Sequence, residues 1–390
     1  MGPPFHHATP EDILGGRVTG ADAWQAVEIL EAKGADPHVV AEVGAPTLPS
    51  GWRWAVLAGL EEALALFEDR DLDADALPEG SVFYAEEPVV AIAGRYHEFA
   101  LLQSPLLGML AQPSGAATTA ARLKLAADGR RLYPIGAMPV HPAVGAVIER
   151  AAFVGGCDAV ATPRAAELTG APAVAPAGHD LALILGESGA WMALGDASEP
   201  GAQVVVTVGT VDDEREGAVR AAEVLGDRLA SVRLDVPASR RGELARIVRE
   251  VRWELDARGY SRVRILVTGE VDEAAIRAAG RHADAFGIGE AVASAPAVRF
   301  SVDIVEIDGR PVSRRGNLSG RKTLWGCAEC GNRGITPVRA DPGGCPRCGG
   351  PLAGLLAPIR RWGRREGPAP EPASIRARAA REAAEAAKYS

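Results

Sequence analysis

A chain of 390 residues that is 47% hydrophobic and 24% charged is long enough for two or three domains with a sizeable core, and no apolar run reaches the ~20 residues of a membrane helix. Its formal net charge of −9 argues against general nucleic-acid affinity. The opening "MGPPFHHATPEDI" has no basic region followed by an apolar block, so no signal peptide is expected and the cytoplasm is the expected compartment.

Residues 1–112 read as mixed α and β. Helical spacing predicts helices over 21–34 and 54–69, and alternation over 78–96 predicts strands around a turn at "EEP". From 113 to 297 short apolar strands alternate with helices. The strands are expected at 131–137, 157–162, 203–209, 231–236, 262–269 and 283–289. The helices are expected at 114–128, 143–154, 178–194, 213–229, 240–259 and 272–281. Repeated βα units without a dinucleotide glycine fingerprint favour an α/β barrel, in an incomplete form. "VRFSVDIVEIDGRPV" (298–312) reads as a hairpin turned at Asp308-Gly309. With 298–325 it is expected to complete the N-terminal sheet. Residues 359–390 read as a basic, then Pro-rich linker and an Ala-rich helix.

Four of the five cysteines form two knuckles, Cys327-x2-Cys330 and Cys345-x2-Cys348. This spacing predicts a structural, closed zinc ribbon over 326–358 with four thiolate ligands. A disulfide pair is the other reading, and a cytosolic chain disfavours it. Cys157 reads as a core residue. Between Arg310 and Arg365 there are twelve Lys/Arg and two Asp/Glu. Such a stretch suits nucleic acid, but solvent-facing charges or a substrate phosphate are the preferred reading, so a nucleic-acid partner is not expected.

Chemistry in a barrel sits on the loops after the strands, with phosphate often held by the last two. Here those loops are "TGEVDE" and "GIGEAV", which contain glycines and also Glu270 and Glu290. Arg233 and Asp235 alternate with apolar residues, so both could face the barrel mouth. The arginine suits phosphate or carboxylate, and a structural Arg–Asp pair fits equally. His141 follows a strand and His179 precedes a helix; each could bind an anion or shuttle protons, or cap and pack. Arg249, Glu250, Arg252 and Glu254 read as surface pairs along one helix.

Four stretches, "LLGMLAQPSGAATTAARLKLAA", "IERAAFVGGCDAV", "VRLDVPASRRGELARIVREVRWELDARG" and "DIVEIDGRPVSRRGNLSGRKTLWGC", carry a resemblance to the nicotinate phosphoribosyltransferase family, archaeal-type with a C-terminal zinc knuckle. It runs from about residue 15 to 375. The resemblance implies an α/β fold: an N-terminal α/β sandwich, an irregular α/β barrel and a small four-cysteine module. It implies a homodimer, phosphoribosyl pyrophosphate and a small aromatic acid as substrates, Mg and ATP as possible cofactors, and a product that feeds NAD synthesis. By the resemblance, His179, Arg233 and Asp235 are the catalytic residues. Arg122, His141, Thr268, Gly269, Gly287, Gly289, Arg321 and Lys322 are the substrate-binding residues. The family's stacking tyrosine is replaced at Asp22, an active-site arginine at Met138, and phosphate-loop positions at Glu270 and Glu290. These replacements fall on the expected active face, while the scaffold segments match. The alternative expectation is therefore an inactive homologue that binds a ligand or regulates.

Overall fold

The computed structural model describes residues 5–136, 139–174, 176–236, 242–340 and 343–389. They fall into two compact units, 1–118 with 296–390, and 119–295. Among the described residues no helix is long and apolar enough to cross a membrane.

The first unit is built on a seven-stranded antiparallel sheet in the order Arg310–Pro311, Ser301–Ile307, His38–Gly44, Pro88–Arg95, Leu72–Ala76, Ala357–Arg361, Arg364–Arg365. Val39, Ala41, Val43, Val90 and Ile92 are fully buried against Leu66, Phe67, Leu102, Leu106 and Leu110. The hairpin from 301 turns at Asp308 (φ 47°) and Gly309 (φ 75°), the two left-handed positions of a type I′ turn. It returns to the N-terminal sheet beside His38–Gly44. A smaller sheet of Lys322–Cys327, Arg333–Pro337 and Leu352–Gly354 carries the cysteine knuckles.

Two expectations in this unit are corrected. Residues 54–69 do not form one helix. Ala55–Val56 pairs with Val82–Phe83, and only Leu60–Ala63 and a 3₁₀ turn, Leu64–Phe67, follow. The preceding backbone is buried and bonds to side chains, Val56 N to Thr118 Oγ1 at 2.8 Å and Ala58 N to Ser114 Oγ at 3.1 Å. Gly59 (φ 86°) passes so close to the helix Gln103–Ala127 that a Cβ would lie 1.9 Å from Met109 O. The basic segment after 356 is not a linker either. Ala357–Arg361 pairs with Leu72–Ala76, and a turn at Trp362 (φ 51°) and Gly363 (φ 71°) leads into the edge strand Arg364–Arg365. The final helix, Pro372–Ala386, buries Ile375, Ala379 and Ala383.

The second unit holds a five-stranded parallel sheet in the order Arg131–Tyr133, Ala285–Gly287, Arg264–Gly269, Leu229–Val236, Val204–Val208. One face is apolar: Val206, Val208, Val232, Leu234, Ile265, Val267, Phe286 and Leu132 are fully buried. The opposite, inner face carries Thr207, Arg233, Asp235 and Thr268, as period-two alternation requires. The ladder is open, because the edge strands Arg131–Tyr133 and Val204–Val208 each have one neighbour.

The strand expected at 157–162 is reduced to a single parallel bridge, Val160 to Ala173. Carboxylates replace its ladder. Fully buried Glu149 accepts from Ala161 N at 2.7 Å and Thr162 N at 2.9 Å, and Asp158 accepts from Leu132 N at 2.8 Å. The helix expected at 178–194 is divided at Gly186 (φ 72°) into His179–Leu185 and Glu187–Ala197. Pro142–Val154, Glu214–Leu225, Leu244–Ala257 and Glu273–Ala279 lie where helices were expected. On Leu244–Ala257 the pairing differs from that anticipated: Arg252 meets Asp256 at 2.8 Å, and Glu254 meets Arg258.

Candidate active site

The carboxyl ends of the parallel strands bring together side chains from four segments. Thr207 is in register with Arg233, and Asp235 with Thr268, so all four project from the inner face. Arg233 spans them: Nη2 lies 2.5 Å from Asp235 Oδ2, Nε donates to Thr268 Oγ1 at 2.9 Å, and Nη1 reaches Thr207 Oγ1 at 3.4 Å. Asp235 Oδ2 also meets His179 Nε2 at 3.0 Å, and His179 Nδ1 lies 2.9 Å from Thr210 Oγ1. One carboxylate oxygen thus joins a guanidinium and an imidazole. Burial pulls the Arg233 pKa below the usual arginine range, opposed by the Asp235 charge. The three predicted catalytic residues form one connected network.

The glycines serve that network. Gly269 takes φ 107°, and a Cβ there would lie 2.8 Å from Val236 O. A Cβ on Gly287 would lie 2.6 Å from the Thr268 methyl, so its absence lets Thr268 turn its hydroxyl to Arg233. Gly289 N donates to Ile135 O at 2.9 Å, joining the loops after two neighbouring strands. Glu270 and Glu290 are exposed and form no ion pair among the described residues. Two cations that could offset them are engaged elsewhere, Arg233 with Asp235 and Lys322 with Glu42.

The remaining predicted binding residues do not join the network. Arg122 Nε pairs with Glu273 Oε1 at 2.9 Å, at the start of the helix after the Gly269 loop. His141 is the exposed N-cap of Pro142–Val154 and accepts from Ala143 N at 3.2 Å. Arg321 and Lys322 belong to the first unit. There Lys322 Nζ meets Glu42 Oε2 at 2.7 Å, and Arg321 shares Asp75 with Arg361. Met138 lies outside the described residues.

Sequence reasoning missed a second layer. Buried Glu187 accepts from Thr210 N at 2.8 Å and Val211 N at 3.3 Å, fixing the loop that presents Thr210 to His179. Arg220 holds the other Glu187 oxygen at 2.7 Å and stacks on Trp191, its carbon 5.5 Å from the ring centroid. Trp191 Nε1 in turn donates to Thr207 O at 2.9 Å. The available signal was the glycine directly before Glu187, which ends one helix and begins another.

In the first unit the four knuckle cysteines place their sulfurs within 4.8 Å of one another. Cys327 and Cys348 are 3.5 Å apart, as are Cys330 and Cys345. Without a cation they cannot all ionise. Burial raises the Cys345 thiol, but the backbone N–H groups of Arg347 and Cys348 outweigh it and bring the pKa down to about 6. Cys348 is pushed up to about 12: the Gly350 N–H favours its thiolate, and the neighbouring sulfurs outweigh that. The cluster can hold a metal ion.

Comparison with known proteins places these features. A family model described as quinolinate phosphoribosyl transferase, N-terminal domain, matches residues 24–114. The chain is 31% identical over 314 residues to nicotinate phosphoribosyltransferase pncB1 of Mycobacterium tuberculosis H37Rv, covering 70% of this chain and 68% of that one. It is 27% identical to nicotinate phosphoribosyltransferase of Bacillus subtilis over 251 residues, covering 61% and 50%. The solved structure of nicotinate-nucleotide pyrophosphorylase from Pyrococcus furiosus superposes with a TM-score of 0.95 at 40% identity, covering 98% of both chains. Human nicotinic acid phosphoribosyltransferase, at 19% identity and a TM-score of 0.75 over 93% of both chains, shares the fold.

Proposed function

The chain belongs to the nicotinate phosphoribosyltransferase family, and from that premise we propose that it transfers the phosphoribosyl group of phosphoribosyl pyrophosphate to nicotinate or a closely related planar acid, a step of NAD salvage. The acceptor ring nitrogen attacks C1′ of the ribose as the bond from C1′ to the pyrophosphate oxygen breaks. Positive charge grows on the ribose and negative charge on the leaving group. Fixed groups of opposite sign at those two places lower the barrier, because they need no reorganisation. The observation that carries this reading is the Asp235 carboxylate, held between Arg233 and His179 at the carboxyl ends of the strands. Asp235 supplies the anionic side of such a site, and Arg233 orients it. His179, fixed at Nδ1 by Thr210, holds the Asp235 carboxylate through Nε2. Mg²⁺ accompanying the pyrophosphate would offset Glu270 and Glu290, and ATP is an accessory substrate in this reading. An inactive homologue is not favoured, because the His179–Asp235–Arg233–Thr268 network is intact.

The test is direct. Protein incubated with nicotinate, phosphoribosyl pyrophosphate, Mg²⁺ and ATP should form nicotinate mononucleotide, followed by chromatography. Asp235→Ala should lower kcat by about 10²-fold. No product, together with no thermal shift from phosphoribosyl pyrophosphate, refutes the proposal.

The cysteine cluster we assign to structural zinc. Tetrahedral Zn–S bonds of about 2.3 Å separate the sulfurs by roughly 3.8 Å, close to the 3.5 Å contacts. Four protein sulfurs leave no open position. Metal analysis should return one zinc per chain, and Cys345→Ser should abolish it. The homodimer is supported by exposed apolar side chains at Leu183, Ile184, Met192 and Val211, and light scattering decides it.

A further inference from the structure

In a closed eight-stranded barrel the inner face of the sheet is filled by side chains. Here the ladder is open, and toward the amino ends of the strands the inner face borders a cavity of about 810 Å³. Every residue lining it belongs to the second unit, and none of His179, Thr207, Thr210, Arg233, Asp235 and Thr268 lines it. The cavity is therefore separate from the network at the strand ends, although both lie on the same face.

Four arginines from adjacent segments border this space: Arg131 on one edge strand with Arg130 just before it, Arg264 two strands away, and Arg281 just before the strand between them; Arg130 is engaged by the Ala127 and Ala283 carbonyls. None makes an ion pair among the described residues. Two acids, Asp128 and Asp284, also line it, and Asp284 accepts from Ile265 N at 2.8 Å. Tyr133, two residues on from Arg131 along the same strand, projects from the same face. The apolar part of the lining includes Ile135, Val174, Pro176, Val205 and Leu266, and Tyr133 presents an aromatic ring. Uncompensated guanidiniums beside an apolar wall match a ligand with an anionic group at one end and a ring at the other. Planar, forked donors suit phosphate best. The volume lies in the range of small-ligand pockets, about 300–1,000 Å³.

We propose that this cavity is a second ligand site, distinct from the strand-end network, that binds a ring-bearing phosphate monoester of the nucleoside monophosphate class. The phosphate is held by Arg131 and Arg264, and the ring lies against Tyr133 and Leu266. The inference does not depend on the transferase activity.

Isothermal titration of the full-length protein with adenosine 5′-monophosphate tests it, with adenosine and inorganic phosphate as separate probes. The monophosphate should bind at least tenfold more tightly than either fragment, and saturating phosphoribosyl pyrophosphate should not displace it. Arg131→Gln with Arg264→Gln should weaken binding at least tenfold while the thermal unfolding midpoint holds, and Arg264→Lys should retain part of the affinity. The proposal is overturned by an absence of binding, by equal affinity in the double variant, or by displacement with phosphoribosyl pyrophosphate. Inorganic phosphate binding as tightly as the monophosphate would also overturn it.

Discussion

The two sheets of this protein treat their arginines differently. In the antiparallel sheet and the strands that follow it, many basic groups meet an acid: Arg321 and Arg361 share Asp75, Lys322 meets Glu42, Arg333 grips Glu87 in a fork, and Arg365 meets Glu61. On the inner face of the parallel sheet only Arg233 is paired with a carboxylate, while Arg131 and Arg264 border open space. Five of the twelve basic groups between Arg310 and Arg365 are thus answered by acids far earlier in the chain. Charge matched in this way specifies where strands dock. Charge left unmatched beside a cavity is available for recognition.

The contrast can be broken most severely at Asp75. Asp75→Ala leaves Arg321 and Arg361 without their shared acceptor, and removing one member of a buried pair costs about 3 kcal/mol or more. Denaturant unfolding should show a loss of that size. Glu42→Gln should cost less, about 2 kcal/mol, because the amide keeps a hydrogen bond to Lys322 but loses the charge. Arg264→Gln, on the inner face, should change stability by no more than ~0.5 kcal/mol. A loss as large as that of Asp75→Ala would show that Arg264 is structural, erasing the distinction between the two sheets.

The smallest effect is a pH dependence. Burial tends to raise the Asp36 pKa, but hydrogen bonds from the His97 ring and backbone N–H outweigh it and hold the carboxyl below its ordinary value. A depressed folded-state value adds stability above the unfolded pKa of about 4 and loses it as the pH falls through the folded value. Thermal midpoints of the natural protein should therefore fall more steeply below pH ~4 than those of Asp36→Asn.

What the sequence conveys, and what it hides, follows from where hydrogen bonds go. The Asp308-Gly309 hairpin and the four-cysteine spacing are local, and both are readable. Arg233 and Asp235 were legible from alternation and His179 from its place before a helix, while their catalytic roles came from a family resemblance. The segment 157–162 has a strand's composition, yet Glu149 takes its Ala161 and Thr162 N–H groups while Asp158 turns its carboxylate to Leu132 N, and nothing local announces that. Residues 54–69 satisfy a helical pattern until the close approach of Gly59 to Met109 forbids a continuous helix. The strands around Trp362-Gly363 were hidden by arginines whose partners lie nearly three hundred residues away. Glu187 and Arg220 escaped for a similar reason, since a helical acid and a helical base look like surface until the fold brings them to Thr210 and Trp191.

The strand Ala357–Arg361 closes the open side of Leu72–Ala76, and this has a consequence for how the protein is made. During synthesis the second unit, a continuous stretch of chain, can be completed while the antiparallel sheet still waits for its last strands. Until then Leu72–Ala76 is an exposed edge, the kind that recruits other chains. A premature stop before residue 357 would make that transient state permanent and yield an aggregating product with an intact parallel domain. A strand made late is what covers the edge of a strand made early.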